Sequence, residues 1–225
     1  MQIIASSSKG NAYLLDNLLI EAGIPMRALK RGLKFKLPDA CIVSHEHGDH
    51  AKSVMDLLVS SVPVFASAGT WRKLGIKHYR AFTIKAGNTY EIAGWDVTPI
   101  EAEHDAEEPL AFILEKDNRK ILFATDTAVL HEEPEGCTEI YIEANYSEAI
   151  LEDNIGAGVV PDARTQAILG HMSYEYCEDY LGRLDLSKCE KITLLHLSDD
   201  NSDVGEWIES LQERFGIPVY GGKSV

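Results

Sequence analysis

The sequence lacks any apolar run approaching the roughly 18 residues of a membrane span. Its first residues also lack the charged-then-apolar pattern of a secretory leader. The four cysteines, Cys41, Cys137, Cys177 and Cys189, show no Cys-x-x-Cys spacing. That argues against a disulfide framework and leaves a reducing, cytoplasmic setting as the expectation. Positive charge is scarce: 21 Lys and Arg face 36 Asp and Glu, for a net charge of −15. By itself that balance argues against a nucleic-acid partner. The scarcity is uneven, however. Up to residue 90 there are 12 Lys and Arg against 6 Asp and Glu, and beyond it 9 against 30. The first part can therefore face a polyanion around Arg27, Lys30, Arg31, Lys34 and Lys36, or around Arg72, Lys73, Lys77 and Arg80. The same residues read equally well as solvated helix faces.

What is present is a core. At 225 residues and 45% hydrophobic content, one globular domain spanning 1–225 is expected. Short apolar runs read as strands at Ile3–Ala5, Ala12–Leu15, Leu18–Ile20, Cys41–Val43, Leu110–Leu114, Ile121–Ala124, Ile140–Ile142, Ile192–Leu195 and Ile217–Tyr220. Apolar spacing predicts helices over Met26–Leu37, Tyr174–Leu184 and Val204–Phe215. A shorter helix is expected from Thr70, as N-cap, to Leu74, closed by Gly75. The strands come in two batches finished by helices, and the notable polar residues follow strands. That is the anatomy of two stacked sheets with helices outside and a site along one edge.

Histidine carries the chemistry. Three of the chain's eight histidines fall in Ser44-His45-Glu46-His47-Gly48-Asp49-His50, directly after a strand. Imidazoles with one carboxylate suit a borderline divalent ion, zinc first and manganese or iron next. His45 and His47 alternate along an extended backbone, whereas Asp49 and His50 lie beyond the turn at Gly48, so two ions are natural. A two-metal hydrolytic site has its ions about 3.5–4 Å apart. His104, Asp126 and His196 also end strands and complete the count. We expect His45, His47 and His104 on one ion, Asp49, His50 and His196 on the other, and Asp126 as the bridge. Taken singly, Asp126 also reads as a cap and the two histidines as packing residues.

His-x-His-x-Asp-His followed by a distant His, an Asp and a last His resembles the metallo-β-lactamase superfamily, over nearly the whole chain. More narrowly, Ser6-Ser7-Ser8-Lys9-Gly10-Asn11, His104-Asp105, Thr125-Asp126-Thr127, Glu143-Ala144-Asn145, Gly170-His171-Met172-Ser173 and His196-Leu197-Ser198 are similar to the YycJ/WalJ group, related to ribonuclease Z and PhnP-type phosphodiesterases. The resemblance implies an α/β fold, the four-layer αββα sandwich, two divalent metal ions (Zn2+, with Mn2+ second) and a metal-bound hydroxide as nucleophile. It implies a 5′-to-3′ DNA exonuclease. Asp49 is expected to orient the hydroxide, and His171 to contact the phosphate or protonate the leaving oxygen; as a packing residue His171 would do neither. Lys9 is either a phosphate ligand or a solvated lysine. Two positions depart from the pattern: Glu21 stands where the superfamily has Asp, and Tyr146-Ser147 where the group has His-Asp. The length leaves no room for the added clamp domain of larger relatives. The partner is then nucleic acid or a cyclic nucleotide, with no membrane, and the reading leaves room for a homodimer. The rival reactions are hydrolysis of small cyclic phosphates and of thioesters or lactams. A metal-binding module without catalysis is the rival of another class.

Overall fold

Each strand of the first batch is three or four residues long, enough to bury a side chain on each face but not to span a large sheet. The computed structural model describes residues 1–222. Its strands fall into two sheets, and the chain divides into two compact units. Residues 1–100 and 106–111 form one, and 101–105 and 112–222 the other.

In the first unit, β1 (Gln2–Ala5), β2 (Ala12–Leu15), β3 (Leu18–Ile20), β4 (Ala40–Ile42), β5 (Val64–Ala66) and β6 (Ala81–Thr83) lie side by side in chain order. The first three pair antiparallel and the rest parallel. Parallel neighbours need a crossover, and α1 (Met26–Gly32), α3 (Val54–Val59) and α4 (Ala68–Leu74) belong to those connections. Leu29, Leu33, Leu57 and Leu58 from this helical layer pack with Leu19, Cys41, Val43 and Val64 from the sheet. All three residues of β4 are buried, which is why its sequence is continuously apolar rather than alternating. Between β4 and α3 lies α2 (Gly48–Ala51), a single turn. A hairpin of β7 (Tyr90–Ile92) and β8 (Trp95–Glu101) follows, turning at Ala93 and Gly94 with φ of 52° and 76°. Left-handed values at both central residues match the twist of a two-residue hairpin.

Two sequence expectations change here. The helix expected over Met26–Leu37 stops at Gly32, because Lys34 and Phe35 turn left-handed at φ 50° and 62°. Thr70 is inside α4 rather than capping it. Ser67 directly follows β5, and its side chain accepts from the Thr70 N–H at 3.0 Å, so the helix starts earlier.

The second unit aligns β9 (Leu110–Lys116), β10 (Arg119–Ala124), β11 (Glu139–Glu143), β12 (Lys191–Leu195) and β13 (Val219–Gly221) in that order. The β9–β10 hairpin is antiparallel and the rest are parallel, so β10, β11 and β12 all end at the same edge. Helices α5 (Glu148–Gly156), α6 (Asp162–Leu169), α7 (Tyr174–Arg183) and α8 (Val204–Phe215) fill the connections. α8 has the bounds expected from its spacing. Asp203 caps its start by accepting from the Glu206 N–H at 3.1 Å, and Gly216 closes it at φ 66°. Among the described residues no helix is long and apolar enough to cross a membrane.

Candidate metal centre

The first unit gathers His45, His47, Asp49 and His50 in the turn after β4. The turn is held from below by the exit of β3: the Ala22 N–H donates to the His50 carbonyl and the Asn11 N–H to the Asp49 carbonyl, both at 2.8 Å. A Cβ on Gly23 would stand 1.5 Å from the Asp49 oxygen, so only glycine lets the two backbones pass. His45 Nε2 lies 3.1 Å from His47 Nδ1, and the His45 and His50 rings are 4.2 Å apart. Buried side chains fix the ring edges behind. Ser44 Oγ is 2.8 Å from His45 Nδ1, and Asn11 Nδ2 is 3.0 Å from His50 Nε2. Glu21, the departure from the family pattern, accepts from the Ser44 N–H at 3.2 Å and reaches His50 Nδ1 at 3.3 Å. Asp49 Oδ2 stands 3.7 Å from His50 Nε2. Glu46 points elsewhere and accepts from the Glu107 N–H at 2.9 Å. Lys9 is exposed.

The second unit gathers His104, Asp126, His171 and His196 around a carboxylate to which the sequence assigned no role. Glu143, fully buried at the end of β11, faces four N–H groups. Its Oε1 lies 2.8 Å from His171 Nδ1 and 3.0 Å from His196 Nδ1. Its Oε2 accepts from the Thr127 N–H at 2.8 Å and the Met172 N–H at 3.4 Å. Ligand atoms of Asp126, Glu143, His171 and His196 all lie within 4.8 Å of one another. His104 turns Nδ1 to the Gly170 carbonyl at 3.1 Å, and its Nε2 stands 3.9 Å from Asp126 Oδ2. Asn145 donates to the His196 carbonyl at 2.7 Å and so ties the end of β12 to the end of β11.

A carbonyl or carboxylate only accepts, so the contacts of His104 and His171 put a proton on Nδ1 of each. His196 Nδ1 faces the Glu143 carboxylate at 3.0 Å and the Asn145 amide nitrogen at 3.1 Å, so its Nε2 edge is turned away from both. Metal-binding histidines are prepared in that way, the far nitrogen held by an acceptor. The donor set fits divalent cations: imidazoles and carboxylates, with no thiolate among them. Burial lowers the pKa of His104, with Asp126 and the Gly170 carbonyl opposing it only in part. Burial would also lower that of His196, but the Asp126 and Glu143 carboxylates more than offset it and raise it. For Glu143, burial would push the pKa up, yet His171 and the hydrogen bonds from His171 and His196 bring it below the ordinary value.

Strain marks the same positions. Glu21, Asp126 and His196 sit at strand ends with φ of 63°, 51° and 50°. Left-handed backbone at a residue other than glycine costs about 1 kcal/mol or more, and here each such residue aims a polar side chain into a cluster. Nothing in composition foretold this, although Glu143, Asn145 and Glu21 all follow apolar runs in the sequence.

A mixed α/β fold whose strand ends carry clustered imidazoles and carboxylates defines a class, the metal-dependent hydrolases. A model of the β-lactamase superfamily domain matches residues 16–172. The exodeoxyribonuclease WalJ of Streptococcus pneumoniae is 28% identical over 221 residues, covering 89% of this chain and 82% of that protein. The exodeoxyribonuclease YycJ of Bacillus anthracis is 26% identical over 222 residues, covering 89% and 83%. The solved structure of YhfI from Bacillus subtilis, a metallo-β-lactamase fold protein, superposes with a TM-score of 0.74 at 14% identity, over 99% of this chain and 96% of that one. The chain belongs to the β-lactamase superfamily, with the fold that its motifs led us to expect.

Proposed function

We propose that the protein is a dinuclear-metal phosphodiesterase that cleaves nucleic acid as a 5′-to-3′ DNA exonuclease. In this reading His45, His47 and His104 would hold one cation and Asp49, His50 and His196 the other, with Asp126 shared between the two. Zinc is the favoured ion and manganese the second. The supporting observation is the shared orientation of His104, His171 and His196, each with Nδ1 turned to a carbonyl or carboxylate oxygen. The names of the WalJ and YycJ relatives support DNA as the substrate class. When bound, the cations supply positive charge against the phosphate and make hydroxide available near neutral pH.

The chain's own residues do the rest. Asp49 orients the attacking hydroxide at its carboxylate. Glu143 keeps His171 and His196 in one orientation. The His171 side chain is 18% exposed against 6% for His104 and 1% for His196. It is thus the most open of these three imidazoles, and as an imidazolium, with Nδ1–H held on Glu143, it delivers its second proton from Nε2 to the leaving oxygen.

The test is a cleavage panel with manganese or zinc: 5′-phosphorylated duplex DNA, single-stranded DNA, RNA, a cyclic mononucleotide and bis-p-nitrophenyl phosphate. Shortening of DNA from its 5′ end is the expected result. Turnover of the cyclic nucleotide alone would move the substrate to small cyclic phosphates. Turnover of a thioester with every phosphodiester untouched would overturn the reading.

A further inference from the structure

Ala22–Pro38 is a run of purely positive charge in this acidic chain: its 17 residues hold Arg27, Lys30, Arg31, Lys34 and Lys36 and not one Asp or Glu. Its far end has an unusual form. The Phe35 N–H donates to the Lys30 carbonyl at 2.7 Å and the Lys34 N–H to the Arg31 carbonyl at 2.9 Å, the bond pattern of a Schellman helix end. Such an end favours glycine at its left-handed position and tucks the next apolar residue against the helix. Here Lys34 and Phe35 both take left-handed φ, and Phe35 is 78% exposed, the most exposed large hydrophobic side chain among the described residues. Lys34 and Lys36 on either side of it are exposed too. Neither burial nor backbone ease explains an aromatic ring held in water between two cations. The near end of the strip meets the ligand turn, since Ser53, just past α2, donates to the Ile24 carbonyl at 2.6 Å and Gly23 lies against Asp49.

We propose that α1 and the Lys34-Phe35-Lys36 turn form a binding strip for single-stranded nucleic acid, with phosphates on the cations and a base stacked on Phe35. The proposal rests on the nucleic-acid reading above and adds where the strand runs. Stacking on an exposed aromatic beside a cationic track is the way single strands are held without regard to sequence. α1, seven residues long, spans roughly 10 Å, and at about 3.4 Å per nucleotide that is room for about three phosphates. An anionic lipid surface would also meet cations and an aromatic, but the strip adjoins a turn of candidate metal ligands, which favours the phosphodiester.

The experiment measures binding of a fluorescein-labelled 12-nucleotide single strand to the full chain in chelator, across salt concentrations, for wild type, Phe35→Ala, Phe35→Trp and the pair Lys34→Glu with Lys36→Glu. Circular dichroism confirms that each variant is folded. The double charge reversal is expected to weaken binding at least 10-fold and to flatten the log–log salt slope by about 1.4, near 0.7 per phosphate on a single strand. Phe35→Ala should weaken binding about 10-fold with the slope unchanged, and Phe35→Trp should restore it. Hydrolysis of bis-p-nitrophenyl phosphate, too small to reach the strip, should stay within about twofold in every variant. A wild type that cleaves no phosphodiester while these variants still lose DNA would refute the exonuclease reading and leave the strip standing. DNA affinity and slope unchanged in both the alanine and the charge-reversed proteins would overturn the strip. So would loss of binding to phosphatidylserine vesicles with DNA binding intact.

Discussion

Glu143 is a single buried carboxylate facing two imidazoles and two backbone N–H groups. Replacing it with Gln keeps the shape but puts a donor where an Nδ1–H or a peptide N–H must find an acceptor. Histidines then lose their fixed tautomer, and removing such a partner typically lowers metal affinity 10–100-fold. Metal content after dialysis against buffered zinc should fall in Glu143→Gln, and full occupancy would deny the carboxylate its positioning role. His171→Ala separates proton delivery from metal binding. It should retain the ions yet cleave phosphodiesters about 10²–10⁴-fold more slowly; undiminished kcat removes His171 from the reaction. At this scale legibility tracked local density. His45 to His50 announced themselves by crowding, whereas Glu143 and Asn145 matter only because β11 runs between β10 and β12, with Glu143 beside Leu195 and one residue short of His196. No single segment holds that information.

Elements join the residues into a frame, and the start of β11 shows how. Glu139 Oε1 accepts from Arg119 Nε at 2.8 Å and lies 2.7 Å from its NH2 group, and Oε2 takes Lys191 Nζ at 3.0 Å and the Tyr141 hydroxyl at 2.9 Å. One carboxylate therefore ties β10, β11 and β12 together at the edge away from the site. Burial would raise its pKa, but the hydrogen bonds from Lys191, Arg119 and Tyr141 outweigh that and lower it. A depressed folded pKa means stability present above the unfolded value, about 4.3, and lost as pH falls through the folded one. Glu139→Gln should thus be less stable by about 1–3 kcal/mol at pH 7 in urea unfolding. The gap to wild type should close below about pH 4, and a gap constant with pH would show that the charge is irrelevant. Strands and α8 were readable because their apolar periods agree with their burial. The C-terminal end of α1 was not, since Leu33 and Leu37 keep the helical spacing while the backbone has already turned at Lys34. α5 and α6 went unread for a related reason: of α5 only Leu151 is fully buried, so no clean apolar stripe marks either helix.

Over the whole molecule the governing fact is charge. A net −15 is self-repelling in the compact state, and within the second unit Asp126 opposes the ionisation of the buried Glu143. The uneven distribution was legible from composition alone, because a count of Lys and Arg needs no fold. Where those charges meet a ligand was not, because it depends on a turn geometry at Lys34 and Phe35 that only coordinates reveal. Divalent cations on the proposed ligands would relieve the repulsion and bind the native chain in preference to the unfolded one. At a free metal concentration of 100 Kd that linkage contributes about 2.7 kcal/mol, which for a chain of this size is on the order of 5–10 °C in Tm. Stripping the protein with a chelator should lower the calorimetric midpoint by that amount, and zinc or manganese should restore it while sodium at matched ionic strength should not. Asp126→Asn, lacking the bridging carboxylate, should recover only part of the shift. An equal Tm with and without chelator, in a sample whose metal content is shown to change, would mean that these residues hold no ion in the folded protein.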